Sequence, residues 1–151
     1  MAKANILIVE DEVVTALEME STLEEIGYTV ISIVDTGEEA VAIAKEEKPD
    51  IVLMDIRLQG EMDGIDTAEI IRSEFGIPVI FSTAFLDEER IERAKITMPF
   101  GYVLKPIQES DLKVTIEMAL YVTKMDSERR KLEEVLKENE IGRAVQQECR
   151  D

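Results

Sequence analysis

Side chains that could do chemistry together lie just after the first, third, fourth and fifth of five short apolar runs in this sequence. Glu10 and Asp11 follow the first run, Asp55 the third, Thr83 the fourth and Lys105 the fifth. In an open parallel sheet the carboxyl ends of the strands form one edge, and ligands bind there. We therefore expect these side chains to lie close together.

Carboxylates gathered at one edge repel one another by a few kcal/mol at an effective dielectric constant of about 20. Such a cluster indicates a divalent cation, and oxygen-only ligands favour Mg2+. Mg2+ also bridges to phosphoryl oxygens, which leaves one aspartate free to act as a nucleophile. Asp55, in the middle of the predicted sheet, is the candidate nucleophile. Lys105 and Thr83 are suitable partners for the oxygens of a phosphoryl group.

The apolar runs that position these residues alternate with helical patterns, which predicts an α/β fold with a parallel sheet covered on both faces. The runs are rich in β-branched residues and too short for helices. They predict five strands, at Ile6–Val9, Thr29–Val34, Ile51–Met54, Val79–Phe81 and Tyr102–Leu104. Apolar residues at three and four spacing predict four helices between them, at Val13–Ile26, Gly37–Glu47, Ile65–Phe75 and Asp87–Lys95.

A fifth helix is predicted after Pro106, with Ser110 or Asp111 as its cap, and no Pro or Gly stops it between Tyr121 and Ile141. Its apolar residues favour a weak coiled-coil seam and a homodimer through this C-terminal helix; they are Met118, Val122, Met125, Leu132 and Leu136, with Arg129 and Asn139 at two expected core positions. We expect one domain over residues 1–121 and a helical extension or linker over 122–151. Residues 141–151 lose the pattern and are assigned no function.

The net charge and the cysteine and histidine content argue against several classes of function. The formal net charge is −17, and this field argues against direct binding to nucleic acid or to an anionic membrane surface. No apolar run approaches the length of a membrane span. A single cysteine, Cys149, cannot form a disulfide within the chain, and the absence of histidine excludes histidine catalysis and histidine ligands. We predict a cytoplasmic protein.

Five motifs in this order resemble the CheY-like receiver domains of two-component response regulators over residues 4–121. They are ILIVEDE at Ile6–Glu12, DIVLMDIRL at Asp50–Leu58, MDG at Met62–Gly64, PVIFSTA at Pro78–Ala84 and GYVLKP at Gly101–Pro106. The resemblance implies a flavodoxin-like, doubly wound (βα)5 fold with strand order 2-1-3-4-5. It also implies a signalling phospho-acceptor that is not an enzyme for external substrates. Such a protein catalyses only its own phosphorylation and its own dephosphorylation.

The resemblance also assigns roles at the metal. Asp55 would be the phospho-acceptor and a ligand of Mg2+. Asp11 would be a direct ligand, Glu10 a water-mediated one, and the backbone carbonyl of Arg57 a third ligand from the protein. A histidine kinase or phosphotransfer protein would supply the phosphoryl group.

Other residues would bind the phosphoryl group or change conformation when it is attached. Thr83 and Lys105 match the positions that contact the phosphoryl oxygens, and Thr83 with Tyr102 matches the pair that rearranges on activation. The output would pass to a downstream protein or to a fused output module.

Three other functions use similar residues. A haloacid-dehalogenase-like phosphatase would need an acid two positions after Asp55, where this chain has Arg57. A flavodoxin-like cofactor binder would need a phosphate loop after the first strand, where Glu10 and Asp11 would repel the phosphate. A structural or dimerisation module of the same fold that is never phosphorylated remains the main alternative.

Overall fold

The computed structural model describes residues 4–58, 60–83, 92–93 and 101–150, with side chains described as far as Leu136. Five parallel strands form one sheet in the order β2-β1-β3-β4-β5. The fold is the predicted flavodoxin-like α/β fold with an extended C-terminal helix. The elements are β1 Asn5–Val9, α1 Val13–Glu25, β2 Thr29–Val34, α2 Gly37–Glu47, β3 Ile51–Asp55, α3 Gly64–Phe75, β4 Val79–Thr83, β5 Gly101–Leu104 and α4 Glu109–Arg150.

The central strands are buried on both faces. Every residue of β3 and β4 is buried, as expected for parallel strands covered by helices on each side. Helices α1, α2 and α3 each present a narrow apolar face to the sheet. In α1 this face is Ala16, Met19 and Leu23, whose spacing of three and four residues places them on one side of a helix.

Local signals set the ends of two helices. The Thr36 side chain accepts a hydrogen bond from the backbone N–H of Glu39 at 3.2 Å and so caps α2. Asp63 caps α3 in the same way, through the N–H of Asp66 at 2.9 Å. Gly76 ends α3 with a φ of 66°, in the left-handed region that glycine adopts without steric cost.

Two of the predicted helices, the one after Pro106 and the one at 87–95, need separate comparison with the structure. Helix α4 begins at Glu109, and the N–H of Leu112 bonds to the carbonyl of Gln108 at 3.0 Å. The prediction that Ser110 or Asp111 caps this helix is therefore wrong, because both lie within its first turn. The predicted helix at 87–95 lies outside the described residues, apart from the helical pair at 92–93.

The chain divides into two compact units, Met1–Ala119 and Leu120–Asp151. The first unit contains the sheet and the start of α4, where Leu112, Ile116 and Ala119 are buried. The second unit is helical as far as Arg150. As far as Leu136, where the described side chains end, its larger apolar side chains are exposed, namely Tyr121, Val122, Met125, Leu132, Val135 and Leu136. In the part of the chain that the structure describes, no helix is both long and apolar enough to cross a membrane.

Candidate functional site

The carboxyl ends of four neighbouring strands bring the predicted site residues to one edge of the sheet. Asp55 is the last residue of β3 and Thr83 the last of β4, while Glu10 follows β1 directly and Lys105 follows β5. The register aligns these ends, because Asp55 lies opposite Ser82, and Thr83 lies opposite Leu104. The structure therefore places Glu10, Asp55, Thr83 and Lys105 at one edge of the sheet.

Three carboxylates form a cluster at this edge. Glu10, Asp11 and Asp55 each offer one oxygen, and these oxygens lie within 4.8 Å of one another. Glu10 is 2% exposed and Asp55 5%, so water screens their repulsion only weakly. Hard oxygen ligands at this separation suit Mg2+, which binds through one or two carboxylates and keeps several waters.

Lys105 is the positive charge at the cluster. Its Nζ donates to Glu10 Oε2 at 2.7 Å and lies 3.4 Å from Asp55 Oδ2. The backbone N–H of Lys105 bonds to the carbonyl of Thr83 at 2.8 Å, which fixes the start of its side chain beside β4. One ammonium group therefore faces two buried carboxylates.

These contacts shift two pKa values. Burial raises the pKa of Glu10 from 4.5 to about 7, and the nearby charge of Asp55 adds to the rise, while the hydrogen bond from Lys105 opposes it. Burial of Lys105 would lower its pKa, but its hydrogen bond to Glu10 and the charge of Asp55 outweigh that effect and raise the pKa above 10.5. Lys105 therefore stays charged.

Backbone groups orient the Asp55 carboxylate. Its Oδ1 accepts a hydrogen bond from the N–H of Arg57 at 3.0 Å. The peptide that follows is tied to β4, since the N–H of Ile56 bonds to the carbonyl of Ser82 at 3.2 Å. The backbone of Arg57 thus adjoins the acidic cluster.

The hydroxyl and aromatic residues lie on β4 and β5. Thr83 is buried, with 5% exposed, at the end of β4 next to Asp55's strand. Tyr102 is 38% exposed, and its ring stacks on the buried Phe81 with centroids 6.0 Å apart. Tyr102 is therefore anchored on one face and open to solvent on the other.

Glu12, which belongs to the same acidic run, does not join the cluster. Its carboxylate accepts a hydrogen bond from the Thr15 hydroxyl at 2.9 Å in the first turn of α1. Beyond the cluster, Glu10 and Asp11 line a cavity of about 270 Å3 together with Asp35 and Glu39.

The sequence pattern did not predict the contacts made at the start of α3. Arg93 pairs with Asp63 at 3.2 Å and with Asp66 at 3.6 Å, and Gly64 lies directly against the backbone of Asp55. The aspartate-glycine pair of the MDG motif, directly ahead of a helical pattern, was the available signal. It predicts a helix start, but it does not show what that start touches.

Comparison with known proteins gives a family match and several similar relatives. The protein-family model described as the response regulator receiver domain matches residues 6–117 of this chain. The transcriptional regulatory protein PdtaR of Mycobacterium tuberculosis is 37% identical over 115 residues, which cover 76% of this chain and 56% of PdtaR. The chain spans about half the length of the curated relatives it matches.

Two solved structures are similar over most of this chain. The signal receiver domain of a modulated diguanylate cyclase from Desulfovibrio desulfuricans is 41% identical with a TM-score of 0.79, covering 82% of this chain and 98% of that one. A fusion that contains a trimeric coiled coil from yeast is 35% identical with a TM-score of 0.80, covering 93% of this chain and 95% of that one.

Proposed function

The chain belongs to the response regulator receiver domain family, and on this premise we propose that it accepts a phosphoryl group on Asp55 in two-component signalling. The observation that carries the proposal is the cluster itself. The carboxylate of Asp55 lies in a group of three acids, with the ammonium of Lys105 3.4 Å away. An isolated structural aspartate at a strand end would need neither feature.

In the proposed reaction, an Asp55 oxygen attacks the phosphorus of a phosphohistidine on a histidine kinase or phosphotransfer protein. The new P–O bond forms as the P–N bond breaks, and the imidazole leaves with the electron pair. Glu10, Asp11, Asp55 and the backbone carbonyl of Arg57 would hold Mg2+, which offsets charge on the phosphoryl oxygens when bound. The hydrogen bond from the Arg57 N–H supports the role of Asp55 as acceptor, because it keeps the Asp55 carboxylate in one orientation.

Lys105 and Thr83 would bind the oxygens of the phosphorylated Asp55. Lys105 already contacts the carboxylate, and Thr83 ends the strand beside it. A shift of Thr83 toward the phosphoryl group would favour an inward position of Tyr102, which is half-exposed and packs on Phe81. The output would then be a shift between two populations of the binding surface.

The proposed partners follow from charge and from the C-terminal helix. A net charge of −17 disfavours direct contact with nucleic acid, so the domain over residues 1–121 would act on a downstream protein or a fused output module. It would turn over no external substrate and would work in the cytoplasm. The extension over 122–151 would form a homodimer. Val122, Met125 and Leu132 are exposed along this helix, and an isolated helix is only marginally stable in water unless its apolar side chains pack against a partner.

Intact-mass spectrometry tests the acceptor. Incubation with acetyl phosphate and Mg2+ should add one phosphoryl group to the wild-type protein and none to an Asp55→Asn variant. A chelator should prevent the addition. Equal labelling of both proteins, or labelling that a chelator does not reduce, would contradict the assignment.

Light scattering tests the dimer. The full chain and a version that ends at Tyr121 are compared with and without beryllofluoride and Mg2+, which together mimic the phosphorylated state. The full chain should be heavier than a monomer, and the mimic should change its mass. Monomer masses in all four samples would rule out a dimerising helix.

A further inference from the structure

The first turn of α3 rests on the peptide group of the acceptor residue. A Cβ atom added to Gly64 would meet the backbone carbonyl oxygen of Asp55, with the carbonyl carbon at 2.9 Å and the Cα of Ile56 at 3.0 Å. The N–H of Gly64 also bonds to the carbonyl of Ile56 at 3.3 Å. Position 64 therefore has room only for a hydrogen atom where other residues carry a side chain.

The peptide between Asp55 and Ile56 is thus held from two sides. On one side the N–H of Ile56 bonds to the carbonyl of Ser82 in β4. On the other side α3 packs against the Asp55 carbonyl through Gly64. Because the peptide cannot shift toward either neighbour, the direction in which the Asp55 side chain leaves the backbone is set.

The helix start is itself held in place. Asp63 caps α3 through the N–H of Asp66, and its other carboxylate oxygen pairs with Arg93 at 3.2 Å. The carbonyl of Asp63 accepts from both the N–H and the hydroxyl of Thr67, at 3.0 and 2.7 Å. Thr67 is fully buried, so this turn has little freedom to move away from the acceptor.

We infer that Gly64 is a positioning residue for phosphoryl transfer: it lets α3 fix the backbone of Asp55 and thereby aims the acceptor oxygen. The inference rests on the proposed function. In the transfer from acetyl phosphate, a P–O bond forms to Asp55 while the P–O bond to acetate breaks, and acetate leaves with the electron pair. A misplacement of about 1 Å at a reacting atom can slow such a step by about a hundredfold.

The test compares Gly64→Ala with Gly76→Ala, at opposite ends of the same helix. The methyl group of Gly64→Ala cannot share the space of the Asp55 carbonyl, so the acceptor peptide or the helix start must move. Gly76 has a φ of 66°, and a Cβ atom added there would have open space around it, so Gly76→Ala strains the backbone far from the site. It lowers stability without touching Asp55.

Phosphorylation by acetyl phosphate is followed by intact mass at saturating Mg2+, at a temperature where circular dichroism shows each protein folded. Gly64→Ala should be phosphorylated at least about tenfold more slowly than wild type, and Gly76→Ala at nearly the wild-type rate. Equal rates for Gly64→Ala and wild type, or equal slowing of both variants, would overturn the inference. Failure of wild type itself to label would instead refute the proposed function.

If Gly64→Ala does not fold, Asp63→Ala and Asp63→Ser decide the question. Both remove the pair with Arg93, but only serine keeps an acceptor for the N–H of Asp66. Loss of the cap loosens the helix start, and Asp63→Ala should slow phosphorylation about fivefold relative to Asp63→Ser. The same rate in the two variants would refute a positioning role for this turn.

Discussion

Mg2+ should raise the melting temperature of this protein, because the folded state gathers more negative than positive charge around Asp55. Three carboxylate oxygens lie within 4.8 Å of one another. At an effective dielectric constant of about 20, each ionised pair at that distance repels by about 3 kcal/mol. Lys105 contacts Glu10 and Asp55 and offsets part of this repulsion. A divalent cation would offset the remainder.

The size of the gain follows from ligand linkage. A ligand that binds only the folded state at one hundred times its dissociation constant stabilises it by about 2.7 kcal/mol. For a chain of this length that corresponds to a rise of about 5–10 °C in melting temperature. Thermal melts followed by circular dichroism, in Mg2+ and in chelator at equal ionic strength, measure the difference.

Asp11→Ala is the decisive variant. It removes one ligand and one negative charge, so the metal-free protein should be as stable as wild type or more stable, and its response to Mg2+ should vanish. Asp35→Ala is the matched control, because Asp35 lines the same cavity but does not belong to the cluster. Equal stabilisation of wild type and Asp11→Ala by Mg2+ would refute the reasoning.

Three further outcomes are expected. Since the pKa of Glu10 is raised to about 7, the metal-free folded state binds an extra proton between about pH 4.5 and 7. Stability should fall as the pH rises across that range, by at most about 3 kcal/mol. In urea titrations at several pH values, the free energy of unfolding of Glu10→Gln should not fall with pH in this way. The same fall in wild type and Glu10→Gln would contradict the assignment to Glu10. Arg129→Leu should strengthen self-association in analytical ultracentrifugation more than Arg130→Leu does, because Arg129 lies in the apolar seam; equal effects would count against that seam. Lys48→Gly should stabilise the protein by about 1 kcal/mol in urea titrations, since Lys48 ends α2 with a φ of 46°, and a lower urea midpoint would exclude strain there.

The sheet and its site edge could be predicted because short buried strands carry their own pattern. Runs such as Ile51–Met54 are apolar throughout, and the polar residues that follow mark the edge where ligands bind. The observed ends of two strands lie one or two residues beyond the predicted ends. β3 continues through Asp55 and β4 through Thr83, because backbone pairing with neighbouring strands extends past the last apolar residue.

Contacts between distant segments could not be predicted from the sequence. The raised pKa of Glu10 depends on how deeply the fold buries it beside Asp55, and sequence pattern gives no measure of that depth. The same holds for Gly64, whose need to lack a side chain arises only when α3 meets the Asp55 carbonyl. The start of α4 was predicted wrongly: Ser110 is a good capping residue, but the helix begins at Glu109, and the carbonyl of Gln108 already accepts a hydrogen bond from the N–H of Leu112.

The strand order has a consequence for the kinetics of folding. The hydrogen bond between Lys105 and Glu10 joins positions 95 residues apart, and β1 lies between β2 and β3 in the sheet. Parallel pairings of this kind close long loops before they gain contacts, so they form slowly. We expect the acidic cluster to assemble after the folding transition state, so that its contacts are absent there. Mg2+ bound there would slow unfolding while leaving the refolding rate nearly unchanged, which lengthens the lifetime of the native state.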